Sequence, residues 1–79
     1  MRLDKFLKNS RIIKRRTIAN EACDSGRVTV NGKTAKASAA VKVGDIIELK
    51  LGDRLMKVEV LALKEHVTKE TALEMYRAL

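Results

Sequence analysis

Seventy-nine residues, 46% hydrophobic and 34% charged, make one small globular domain and exclude barrels, kinases and dinucleotide-binding enzymes. Seventeen Lys and Arg against ten Asp and Glu leave a formal net charge of +7, and no run of about 18 apolar residues offers a membrane span. The opening residues, Met-Arg-Leu-Asp-Lys-Phe-Leu-Lys, lack the apolar stretch of a secretory signal, and the single cysteine, Cys23, excludes an internal disulfide. A reducing, cytoplasmic location is expected, and Met1 argues against an internal fragment.

Residues 2–9 read as a helix, with Leu3, Phe6 and Leu7 on one side and Arg2, Lys5 and Lys8 on the other. Adjacent Ile12 and Ile13 break the stripe, so a turn is expected over 10–16. Thr17 is the expected N-cap of a second helix over 18–24, with Ile18, Ala19, Ala22 and Cys23 on its apolar face and Gly26 at its C-terminal cap. The period then changes to two. Val28 and Val30 lead into Asn31-Gly32, a strong hairpin signal, and Lys33-Thr34-Ala35 returns antiparallel. Val43-Gly44-Asp45 turns into a strand at 46–51, Gly52-Asp53 turns again, and 55–63 form a longer strand. Thr71 and Glu74 have capping-box spacing, which predicts a short final helix within 68–79, docked through Leu73, Tyr76 and Leu79. The whole of 1–79 reads as one α+β domain, its core motif over about 1–63 and its sheet mostly antiparallel.

The charge is segregated. Residues 1–36 carry ten bases and three acids, whereas 37–79 carry seven of each, so the entire excess lies in the first half. Solubility alone does not require that asymmetry; a polyanionic partner explains it. Lys14-Arg15-Arg16 lies at the joint of the two helices, where guanidinium groups and free helix amides can meet phosphate together, with Thr17 as a further donor. Arg2, Lys5 and Lys8 extend this surface along the first helix, and Arg27 and Lys33 add to it from the hairpin. With only Phe6 and Tyr76 as aromatics, base stacking is not the expected mode; backbone and shape recognition of structured RNA is.

Catalysis finds little support. Cys23 and His66 are too few for a zinc site, and Cys23 reads as a buried small hydrophobe rather than a thiol activated by nearby bases. Asp4 reads as the partner of Lys8, four residues on. The four glycines are isolated turn glycines, not a phosphate loop. No metal and no cofactor are expected.

Three stretches, Arg2-Leu3-Asp4-Lys5-Phe6-Leu7, Lys14-Arg15-Arg16-Thr17-Ile18-Ala19 and Gly26-Arg27-Val28-Thr29-Val30-Asn31-Gly32, occur in an order that resembles the RNA-binding domain of the small-subunit ribosomal protein S-four family. This is the alpha-L RNA-binding motif, and Val41-Lys42-Val43-Gly44-Asp45-Ile46-Ile47 resembles its later turn and strand. The resemblance covers about residues 1–50. It implies two N-terminal helices packed on a small sheet and an RNA surface at Arg2, Lys5, Arg11, Lys14, Arg15, Arg16 and Thr17, with Arg27 and Lys33 peripheral. Among stand-alone members, the absence of Trp and the neutral second half favour the bacterial ribosome quality-control factors over the heat-shock ribosome-associated type. That likeness implies a non-enzyme, a monomer. It implies binding to RNA of the large ribosomal subunit beside peptidyl-tRNA, in support of alanine tailing by the factor RqcH. The other readings are a heat-shock-type ribosome factor and an accessory domain of an RNA-modifying enzyme.

Overall fold

The computed structural model describes all residues 1–79. Helix α1 spans Leu3–Asn9 and α2 spans Arg16–Asp24. Strands β1 (Val28–Val30), β2 (Lys33–Thr34), β3 (Ile46–Leu51) and β4 (Arg54–Val60) follow, then α3 (Lys69–Ala72), a 3₁₀ turn at Leu73–Met75, and β5 (Tyr76–Ala78). The five strands form one sheet in the order β2-β1-β3-β4-β5, with every pairing antiparallel. The α+β architecture expected from the sequence is therefore present.

Period-two burial explains the sheet. Ile47 and Leu49 of β3 face inward with Val58 and Val60 of β4 and Val28 of β1, while Glu48 and Lys50 face out. Leu3, Phe6 and Leu7 of α1 and Ala19, Ala22 and Cys23 of α2 join them in one core, closed by Ile13, Ala37, Val41 and Met75. Ala19 and Ala22 are small, which suits the close approach of the two helices.

Both helix ends are set by backbone geometry. Gly26, at φ 84°, follows α2 in a Schellman arrangement: its amide reaches the Cys23 carbonyl at 3.1 Å and the Arg27 amide reaches that of Ala22 at 3.0 Å. The corresponding residue after α1 is Arg11, at φ 64°. A left-handed non-glycine residue costs about 1–2 kcal/mol. Asn31 and Gly32, at φ 52° and 85°, make the expected two-residue turn. The Asn31 side chain then accepts from the Ile46 amide at 2.9 Å and donates to Asp45 at 3.1 Å, pinning the hairpin to the loop before β3.

Three local expectations change. Helix α2 begins at Arg16 with Arg15 at the cap position, so Thr17 lies inside the first turn and caps nothing. Ile18 is exposed; only Ala19, Ala22 and Cys23 of the expected apolar face are buried. The final helix stops at Ala72. Its capping box is Thr68 with Thr71, not Thr71 with Glu74, and the chain continues as β5, where Tyr76 pairs with Val60 and Ala78 with Val58. Met75, not Leu73 or Leu79, anchors this segment in the core.

Candidate nucleic-acid interface

The two helices meet at a buried carboxylate. Asp4, only 2% exposed, accepts two hydrogen bonds from the Arg2 guanidinium at 3.1 and 3.2 Å, one from Asn20 at 3.3 Å and one from the Lys5 amide at 2.8 Å. The Arg16 Nε stands 3.5 Å away. Burial acts to raise the Asp4 carboxyl, but Arg2, Asn20, the Arg16 charge and the Lys5 amide outweigh it and hold it below its ordinary value. The expected pairing with Lys8 does not occur. Asp4 faces α2, where Arg16 and Asn20 stand four residues apart on one helix face, while Lys8 projects into solvent.

Arg2 and Arg16 are half exposed, so each is fixed at one edge and open at the other. Together with Thr17, Asn20 and Glu21 they line a shallow cleft of about 470 Å³. Beside it the first amides of α2 have no side-chain cap, since Arg15 at the cap position supplies none. Guanidinium edges, a hydroxyl and uncapped amides gathered in this way suit an anionic oxygen ligand.

The remaining basic residues divide. Arg11 and Lys14 line a separate groove with Lys8 and Lys69. Lys5 is paired with Glu65. Arg15, Arg27 and Lys33 are exposed and line neither cleft. Asp4 and Asn20, which organise the first cleft, were not expected among the site residues. The signal for them was their placement facing the helix joint, visible only once the two helices are packed. Lys69 was likewise hidden, in a half of the chain with no net charge.

Cys23 is buried, and burial, then the Asp4 and Asp24 charges, push its thiol up to about 11. No three His, Cys, Asp or Glu side chains gather as metal ligands. No helix is long and apolar enough to cross a membrane.

The S4 domain model matches residues 1–47, which contain both helices, the hairpin and the arginines around Asp4. The chain is also 53% identical over 79 residues to the RQC P-site tRNA stabilizing factor of Bacillus subtilis, covering all of this chain and 92% of that one. The chain belongs to the S4 domain family, among the RQC P-site tRNA stabilizing factors. The factor of Halalkalibacterium halodurans is 55% identical over 76 residues, covering 96% of this chain and 86% of that one. A heat shock protein 15 homolog from Haemophilus influenzae is 37% identical over 65 residues, covering 82% of this chain but 50% of that protein. Among solved structures, the trimeric heat shock protein 15 of Vibrio cholerae superposes with a TM-score of 0.92 at 30% identity, over all of this chain and 81% of that one. The hypothetical protein HP1423 superposes with a TM-score of 0.84 at 33% identity, over all of this chain and 96% of that one. The matched segment holds α1, α2 and the β1–β2 hairpin, and the two solved structures share the whole helix-and-sheet arrangement.

Proposed function

We propose that this chain is a non-catalytic RNA-binding factor of bacterial ribosome-associated quality control, of the RqcP type. It acts in the cytoplasm as a monomer on obstructed large ribosomal subunits. There it contacts ribosomal RNA and peptidyl-tRNA, and supports C-terminal alanine tailing of the stalled chain by RqcH. The observation that carries this reading is a pair of arginines held by one buried carboxylate, in a chain matched over its full length by a P-site tRNA stabilizing factor. Arg2 and Arg16 are the principal phosphate contacts, with Thr17 and the α2 amides beside them. Arg15 extends the surface, Lys14 and Arg11 offer RNA contacts from the neighbouring groove, and Lys5, Arg27 and Lys33 lie at the margin.

Such a factor needs no chemistry of its own. It has only to bind one state of the tRNA better than the others, and about 1.4 kcal/mol of difference shifts the ratio tenfold. The likeness of the fold to heat shock protein 15 supports a second reading, a ribosome factor without a role in tailing.

Affinity purification from bacterial cells separates the two. Large subunits carrying peptidyl-tRNA support the first reading, and free subunits without tRNA support the second. Arg16→Ala should weaken binding to structured RNA and lower the slope of log affinity against log salt by roughly one phosphate's worth. Lys57→Glu, on the far strand β4, should leave both unchanged. A flat salt response in the unmodified protein would reject an RNA partner.

A further inference from the structure

The groove at the C-terminal end of α1 is the larger of the two clefts, about 590 Å³, and it shares no lining residue with the Asp4 cleft. One wall is Lys8–Arg11 with Lys14; the other is Val67, Lys69, Leu73 and Tyr76. Asn9 fastens the walls together, its amide donating to the Lys64 carbonyl at 3.0 Å. No Asp or Glu lines the groove, and Lys8, Arg11, Lys14 and Lys69 form no ion pair. Of the acids nearest the groove, Glu65 is engaged with Lys5 and Glu74 with Lys64, while Glu70, next to Lys69 on α3, is unpaired but does not line it. Arg11 occupies a left-handed position that glycine would fill without strain, so a cation stands at the rim where the backbone favours none.

We infer that this groove is a second RNA site, taking the phosphodiester backbone of a segment other than the one at Arg2 and Arg16. The inference rests on the RNA-binding reading above and adds to it a place. Four unpaired cations in a concavity with partly apolar walls focus a positive field. A phosphodiester chain meets them with a charge at every nucleotide and no acidic side chains to immobilise. Two features keep this segment distinct from the first. Arg2 and Lys8 are separated by roughly 9 Å along the α1 axis. Between them Lys5 is neutralised by Glu65, which interrupts the basic surface. The S4 model ends at residue 47, so the Lys69 wall lies outside the segment that defines the family.

The test is a count. The full chain is mixed with excess of a short RNA hairpin, and native mass spectrometry reports hairpins per protein. The unmodified protein should take two. Arg2→Ala with Arg16→Ala should take one, and Lys14→Glu with Lys69→Glu should also take one. Combining all four should leave none. Arg11→Gly guards against misfolding: it should raise the melting temperature yet lower the salt slope of the groove-bound hairpin by about one phosphate's worth. A single hairpin on the unmodified protein, or two retained by Lys14→Glu with Lys69→Glu, overturns the second site. So does displacement of the groove-bound hairpin by poly-glutamate more readily than by unlabelled hairpin. No hairpin at all would instead reject RNA binding itself.

Discussion

Arg16 reaches across the helix joint to within 3.5 Å of Asp4, a carboxylate that is itself almost completely buried. The contact makes Asp4 the hinge pin of a basic surface. It draws Arg2 from before α1 and Arg16 from the start of α2 toward one point, and it limits the orientations each guanidinium can take. Positioning and charge therefore make opposite forecasts for its removal.

Asp4→Asn raises the net charge by one, and a partner attracted by charge alone would bind more tightly. If Asp4 orients the two arginines, affinity for structured RNA should instead fall, with a stability loss of about 1–3 kcal/mol from the weakened charge-assisted hydrogen bonds. Isothermal binding and urea unfolding on the same preparation decide between them. Tighter binding by Asp4→Asn would mean the arginines need no orienting.

The same carboxyl sets an acid limit. Its value in the fold is held below its ordinary value. A lowered carboxylate contributes stability that is fully present above the unfolded-chain value, about 3.9. That contribution is lost as pH falls toward and through the folded value. The unmodified protein should thus lose stability below about pH 4 more steeply than Asp4→Asn, which cannot titrate there. Thermal melting across that range, in matched salt, measures the difference. Parallel curves would show that Asp4 is not the group responsible.

Cys23 should behave as part of the core. With its thiol pushed up to about 11 and its side chain buried, alkylation at neutral pH should be slow in the native protein and fast in denaturant. Mass spectrometry after timed iodoacetamide treatment follows both. Rapid native labelling would place the thiol at the surface.

Asn31 carries the turn and a tie across it. Asn31→Ala should cost about 1–2 kcal/mol, because alanine resists the positive φ and both side-chain hydrogen bonds disappear. Asn31→Gly should cost less, since it keeps the backbone freedom and loses only the bonds. Equal losses in the two variants would show that the bonds, not the conformation, matter.

Local chemistry made the N-terminal half readable. Leu3, Phe6 and Leu7 repeat at helical spacing, Gly26 ends α2, and Asn31-Gly32 admits one hairpin geometry; each signal spans only a few residues. The segregation of charge pointed to the helix joint where Arg2 and Arg16 meet. What escaped depends on partners distant in sequence. Thr71 and Glu74 have the spacing of a capping box, but the bond is made by Thr68, and Tyr76–Ala78 become a strand because β4 offers Val58 and Val60 as partners. Three residues are too few to show a period of their own. Asp4 looked like half of an i,i+4 pair with Lys8, and only the packing of α2 against α1 supplies the stronger competitors Arg16 and Asn20. Lys69 joins the second groove because Asn9 holds the Lys64 backbone, a link across most of the chain.

The sheet is bounded on one side by β2, two residues long, and on the other by β5, three residues long. A free strand edge is a template on which other chains can add, and its hazard grows with its length and flatness. Here β2 and β5 keep both rims short, and the Lys33 charge on β2 adds repulsion between copies at that rim. Short rims of this kind disfavour growth of the sheet from one copy to the next.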